Sequence, residues 1–138
     1  MAYRKVFVDS DIILDLLLQR EPFTSYSQVL FAGNIPEIKL YTSSLILANV
    51  HYLIQKHTNK TIARNRIKEV IGLIDILSLE AKHVTLALNL EHIDFEDSIQ
   101  FYIASEHNCD LIITRNIRHY KTFDIPVLTA EQFLRSIL

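Results

Sequence analysis

Short apolar runs alternate along this chain with longer stretches whose apolar positions recur every three or four residues, the pattern of buried strands separated by amphipathic helices. Lys5 to Asp9 (KVFVD) predicts a buried parallel strand with Asp9 at its carboxyl end. Ser10 then caps a helix over Asp11 to Gln19, with Ile12/Leu16 and Ile13/Leu17 on adjoining rows, and Glu21-Pro22 ends it. A second helix opens at Thr24 or Ser25 and stops at Gly33-Asn34. Ile38 to Thr42 predicts the second strand, and Ser43-Ser44 the cap of a long helix from Leu45 to His57. Its rows Leu45, Asn49, Tyr52, Leu53 and Ile46, Val50, Leu53 leave the Asn49 amide inside an otherwise apolar stripe. Asn59 to Thr61 breaks the pattern before a basic helix, Ile62 to Leu73, that turns Ile67, Val70, Ile71 and Ile74 inward. Asp75 to Leu79 predicts the third strand and Glu80 to Leu90 the next helix.

The stretch from Asp94 to Asn116 is the most informative. It opens with an acidic cluster, continues as an apolar-rich helix, turns at His107-Asn108-Cys109 and ends in a fourth strand, Asp110 to Thr114, that exits into Arg115-Asn116. A turn through His119-Tyr120, an edge strand Pro126 to Leu128, and a helix from Ala130 to Leu138 capped by Thr129 complete the chain. Strands alternating with helices predict an α/β fold, a three-layer α/β/α arrangement around a central, mainly parallel sheet of about five strands, in a single domain over residues 1–138.

Composition narrows this further. Two Gly and three Pro argue against a turn-rich all-β fold and against a Gly-rich phosphate loop. A single cysteine, Cys109, forms no internal disulfide, and the N-terminus carries no secretory pattern, so a cytoplasmic location is expected. Asp15 interrupts the best apolar run, Ile12 to Leu18, and no membrane span is expected. The net charge of −2 is unevenly laid out: Lys56, Lys60, Arg64, Arg66 and Lys68 come with no acid among them, whereas Glu69 to Asp110 has Lys82 as its one Lys or Arg. The basic run is either a polyanion track or a solvated helix face.

The predicted topology brings Asp9, at a strand end, and Asp97, at a helix head, to one edge of the sheet. Crowded carboxylates repel, and a hard divalent cation, Mg²⁺ or Mn²⁺, relieves them. The chemistry that follows is metal-assisted attack of water on a phosphodiester, with Asn116 and Thr114 placed to orient water or phosphate. Thr114 and Arg115, with Lys56, Lys60 and Arg64, are the candidate substrate contacts. Asp94 and Asp97 also have the spacing of an N-cap pair, which suits Asp94 as a cap, whereas Asp97 heads a row with Phe101 and Ala104. The six His show no metal-ligand pattern, Cys109 reads as packing, and Ser43-Ser44 lack a nucleophile elbow.

FVDSDIILDLLL, SSLILANVHYLI, DFEDSIQFYIA with IITRN and a trailing aromatic, and IPVLTAEQFL resemble, in this order and over nearly the whole chain, the PIN domain family. They are most similar to its branch with an Asp-Phe-Glu-Asp segment. The resemblance implies a Mg²⁺- or Mn²⁺-dependent ribonuclease acting on RNA, often the VapC-type toxin of a pair inhibited by a small antitoxin, and often a homodimer. It assigns Asp9 and Asp97 to the first and the late-helix acidic positions. The middle-helix Glu of the family falls on Asn49, and the last acidic position on Asn116 or His119, so Asn49 and Asn116 join the catalytic candidates. Asp94, Glu96 and Asp11 are the carboxylates available to complete the metal set. Asp9-Ser10-Asp11 also resembles the acid pair of haloacid-dehalogenase-like phosphatases, but the Lys and Gly-Asp loop of that family are not visible. The two replaced acidic positions favour a different alternative, a weakened PIN domain that binds RNA or protein.

Overall fold

The computed structural model describes residues 3–33 and 35–137. Five strands, β1 (Lys5–Val8), β2 (Lys39–Ser43), β3 (Asp75–Leu77), β4 (Leu111–Ile113) and β5 (Val127–Leu128), form one sheet in the order β3-β2-β1-β4-β5, with every neighbouring pair parallel. Between them run α1 (Ser10–Leu17), α2 (Thr24–Phe31), α3 (Ser44–His57), α4 (Lys60–Ile71), α5 (Ala81–Leu88), α6 (Phe95–Glu106) and α7 (Ala130–Ser136), and one 3-10 turn, Ile117–Tyr120. This is the three-layer α/β/α arrangement that the alternating pattern predicts. Val6, Phe7, Val8, Leu111, Ile112 and Ile113 are fully buried because central parallel strands are covered on both faces.

The strand order reverses at β1: the chain proceeds outward through β2 and β3, then crosses to the other side to lay down β4 and β5. In open α/β sheets the ligand crevice lies at the carboxyl ends of the strands where the order switches. Val8 is level with Ile113, so the next residues, Asp9 and Thr114, emerge side by side at that switch. Asp9 N–H donates to Ile113 O at 3.0 Å and keeps the two exits in register.

The unit from Asp94 to Thr114 folds for local reasons. Asp94 caps α6, accepting from Asp97 N–H at 2.9 Å. At the other end Asn108 takes φ +58°, while Cys109 N–H donates to Ala104 O and Asn108 N–H to Ser105 O. That pair of bonds closes the helix with a left-handed turn, which Asn tolerates, and sends the chain back as β4. The head of α6 thereby lies at the carboxyl edge of the sheet.

Several details differ from the sequence reading. Asp9, and not Ser10, is the N-cap of α1, its carboxylate accepting from Ser10 N–H at 2.8 Å. Asn59 caps α4, which starts at Lys60 and not at Ile62. Tyr52 and Ile71, both expected inward, are 62% and 44% exposed, because α3 buries Ile46, Leu47, Val50 and Ile54, and α4 buries Ala63 and Val70. Leu86 and Leu88 of α5 also face solvent. Pro126 stands just before β5, and its carbonyl accepts from Ile112 N–H. The Gly33-Asn34 stop includes Asn34, and the predicted end of the last helix includes Leu138; both residues lie outside the described ones.

Candidate functional site

Asp9 is 6% exposed and hydrogen-bonded through both oxygens: Oδ1 accepts from Ser10 N–H, and Oδ2 accepts from Thr114 Oγ1 at 2.9 Å and from Tyr120 OH at 3.3 Å. Tyr120 OH also reaches Asp97 Oδ1 at 3.4 Å, so one phenol spans the two carboxylates that the sequence placed together. His119 Nδ1 lies 2.9 Å from the other Asp97 oxygen, Oδ2. Asp11 stands alongside; its Oδ2 accepts from Arg115 N–H at 2.9 Å, while its Oδ1 is buried without a hydrogen-bond partner among the described residues. Thr114 Oγ1 is 3.4 Å from Asp11 Oδ2 and 2.9 Å from Asp9 Oδ2, so its single proton serves Asp9.

The electrostatics follow from this crowding. Burial holds the Asp9 carboxyl above its ordinary value, opposed by the Ser10 and Thr114 hydrogen bonds and reinforced by the charge of Asp97. Burial followed by the charge of Asp9 pushes Asp11 up to about 6. Asp97 is also raised, by burial and by Asp94, against the pull of His119. Burial and the same carboxylates push the Tyr120 phenol far above its ordinary range, which leaves it a donor at any working pH. Three carboxyl groups that resist ionisation at one sheet edge constitute an electrostatic deficit that a cation would relieve. The donor set is all hard oxygen, and Asp11 Oδ1 has an unspent lone pair; the residues present fit Mg²⁺ or Mn²⁺.

The other candidates divide by position. Asp94 is exposed and acts as the cap of α6. Glu96, also exposed, accepts from Asn49 Nδ2 at 2.9 Å, which ties α3 to the head of α6. Asn49 is half-buried and faces this acidic end, not the interior of an apolar stripe. Thr114 is fully buried, where it orients Asp9 and is screened from a substrate. The Arg115 guanidinium makes a two-pronged pair with the fully buried Asp15 (Nε to Oδ2 2.9 Å, a terminal nitrogen to Oδ1 3.0 Å) and lies 4.0 Å above the Phe23 ring. Arg20 Nε takes the same Asp15 at 2.9 Å. The Arg115 charge is therefore spent on anchoring the exit of β4. The Asn116 side chain is exposed; its backbone N–H donates to Thr114 Oγ1 at 3.0 Å. Lys56, Lys60 and Arg64 are exposed around the α3–α4 turn, and Lys56 lies two helical turns, about 10 Å of axis, beyond Asn49.

Tyr120 and Asp15 escaped the sequence reading. Tyr120 was visible there only as a trailing aromatic, and its phenol oxygen gains meaning once the 3-10 turn folds it under α6. Asp15 interrupts an apolar helix face, the kind of break that signals a buried charge in need of a partner. A second cluster, Glu80, His83 and Glu106, brings ligand-type atoms together at the α5–α6 contact. There His83 Nδ1 accepts from Glu80 N–H at 2.9 Å, so Nε2 carries the proton and donates to Glu106 at 3.1 Å. Lys82 pairs with the same Glu106. The Lys82 ammonium already offsets the charge of Glu106, and the imidazole has no free lone pair for a metal.

Residues 5–118 match the PIN domain family. The chain belongs to that family. Along 96% of its length it is 32% identical to Ribonuclease VapC1 of Aquifex aeolicus (strain VF5), covering 95% of that protein. Its fold is similar to that of FitAcB from Neisseria gonorrhoeae, with a TM-score of 0.72 at 15% identity, 91% of this chain and 98% of that one being covered. It is also similar to VapBC-1 from nontypeable Haemophilus influenzae, with a TM-score of 0.71 at 15% identity over 92% of this chain and 98% of that one. In this PIN domain, the matched residues include Asp9, Asp11 and Asp97 of the acidic edge at the β1–β4 switch. Among the described residues, no helix is long and apolar enough to cross a membrane.

Proposed function

We propose that this PIN domain is a divalent-metal-dependent ribonuclease that hydrolyses RNA phosphodiester bonds, and that it works as the toxin partner of a small antitoxin protein. The observation that carries the reading is the pair Asp9–Asp97, joined through one buried phenol and backed by Asp11, at the sheet's topological switch. Ribonuclease VapC1, similar along nearly the whole chain, supports the substrate class. The similarity in fold to a toxin-antitoxin complex from Klebsiella pneumoniae, at a TM-score of 0.68, supports the partner. The homodimer expected from the family resemblance belongs to the same proposal, and the mass of the protein in solution tests it.

Asp9 and Asp97 would hold the cation, with Asp11 as the nearest further oxygen donor. Mg²⁺ or Mn²⁺, when bound, supplies Lewis-acid stabilisation of the charge that develops at phosphorus and makes the attacking water easier to deprotonate. The protein prepares the acidic edge in advance. Ser10 N–H and the Thr114 hydroxyl fix both oxygens of Asp9, and the Asp94 cap fixes the helix end that carries Asp97. Arg115, locked on Asp15, holds the backbone N–H that orients Asp11. Asn116, exposed at the rim, is the polar group available to a phosphate or water, and the Lys56, Lys60 and Arg64 track would guide the RNA backbone.

Purified protein incubated with single-stranded RNA and Mn²⁺ should cleave it. Asp9→Asn and Asp97→Asn should each lower the rate by about a thousand-fold, equivalent to about 4 kcal/mol of transition-state stabilisation, with an unchanged circular dichroism spectrum. RNA left intact by the wild type, while still bound, would favour the alternative of a binding module.

A further inference from the structure

His119 and Tyr120 are consecutive residues at the end of the 3-10 turn that follows β4, and each takes one oxygen of Asp97. His119 Nδ1 is 2.9 Å from Oδ2, and Tyr120 OH is 3.4 Å from Oδ1. The turn is itself held in place: His119 N–H donates to Asn116 O at 3.0 Å, and the Tyr120 ring is fully buried. The imidazole, by contrast, is 49% exposed at the side chain, so packing does not force it against α6. Its contact with Asp97 is the specific interaction that places it there. The 2.9 Å contact fits a hydrogen bond in which Nδ1–H donates to the carboxylate oxygen.

From this geometry we infer that His119 is a positioning residue for Asp97: its Nδ1–H fixes Oδ2 and turns Oδ1 toward Tyr120 and Asp9, where the cation of the preceding proposal would sit. The inference rests on that proposal and adds a residue to it. Asp97 stands at a helix head with 17% of its side chain exposed, and beside the Tyr120 phenol at 3.4 Å the 2.9 Å contact with His119 is the shorter hold on its carboxylate. Held at Oδ2, it presents Oδ1 in a defined direction. Outer partners that orient a ligand typically contribute 10–100-fold to metal affinity.

Three measurements test this, one of them free of metal. In the metal-free protein, long-range ¹H–¹⁵N NMR should show a proton on His119 Nδ1. Asp97→Ala should return it to Nε2–H. An Nε2–H ring in the wild type overturns the inference. Calorimetric Mn²⁺ titration should then show a loss of about 10–100-fold in affinity for His119→Ala, and recovery to within a few-fold in His119→Asn, whose amide keeps a donor at the Nδ1 position. If the wild type binds Mn²⁺ and Asp97→Ala abolishes binding, the metal reading stands. His119→Ala at wild-type affinity would then overturn the positioning role alone. Wild-type protein that binds no Mn²⁺ overturns both, and pulsed EPR showing a directly coordinated ¹⁴N would make His119 a ligand and overturn positioning.

Discussion

Replacing Asp11 by Asn should stabilise the metal-free protein at neutral pH and leave it unchanged in acid. Asp11 rises from an ordinary 3.8 to about 6, chiefly by burial and then by the charge of Asp9. At about 1.4 kcal/mol per tenfold, that difference corresponds to about 3 kcal/mol of strain when the group is ionised. Below about pH 4 the carboxyl is protonated in both folded and unfolded chains, and its contribution to stability is fully present. As pH rises from about 4 to 6 the unfolded chain ionises first, so that contribution is lost, and above 6 the full cost is carried. Asn has no such cost. Its carbonyl still accepts from Arg115 N–H, and the greater strength of that bond to the charged carboxylate is already contained in the shift. The net gain at pH 7.5 is about 2–3 kcal/mol, or about 6–10 °C in Tm for a chain of this length. Thermal unfolding in EDTA, followed by circular dichroism at pH 7.5 and at pH 4, gives the comparison. A Tm at pH 7.5 equal to or below that of the wild type would refute the reasoning, as would an equal shift at both pH values.

Two further predictions concern the shell around the site. Asp15→Ala strands Arg20 and Arg115, which share a carboxylate with no exposure. Both guanidinium groups keep some access to water, so the loss should be about 2–4 kcal/mol in urea unfolding; a loss under about 1 kcal/mol would mean that the anchor is dispensable. Asn49→Glu sets a second carboxylate against Glu96. It should lower metal-free stability by about 0.5–1 kcal/mol and raise Mn²⁺ affinity about tenfold, the effect of about 1.4 kcal/mol of added attraction. An unchanged affinity by calorimetry would place Asn49 outside the centre.

The layered α/β fold was legible because its physical cause is local. KVFV and LIIT are continuous apolar runs, as strands covered on both faces must be, and the stretches between them carry helical spacing and caps such as Asp94 and Thr129. Asp9 and Asp97 were legible for the same reason, each being a carboxylate at the end of an element whose direction the alternation dictates. Burial of individual helix positions was less accessible. Tyr52 and Ile71 fit an apolar row as well as their buried neighbours do, and which row turns inward depends on the helices packed beside it.

What the sequence by itself determined is the order of elements and, through it, the convergence of two acidic ends on one sheet edge. Only the tertiary structure decided how the polar groups at that edge divide their work. Thr114 and Arg115 look alike as site candidates in one dimension, yet the first serves Asp9 and the second is spent on Asp15, 100 residues earlier in the chain. Asn49 meets Glu96 across two helices, and Tyr120 bridges Asp9 and Asp97 from a turn with no strong sequence signature. The reason is that periodicity encodes which side of an element is apolar, whereas a hydrogen bond depends on the position of single atoms brought together from distant segments, which only packing fixes.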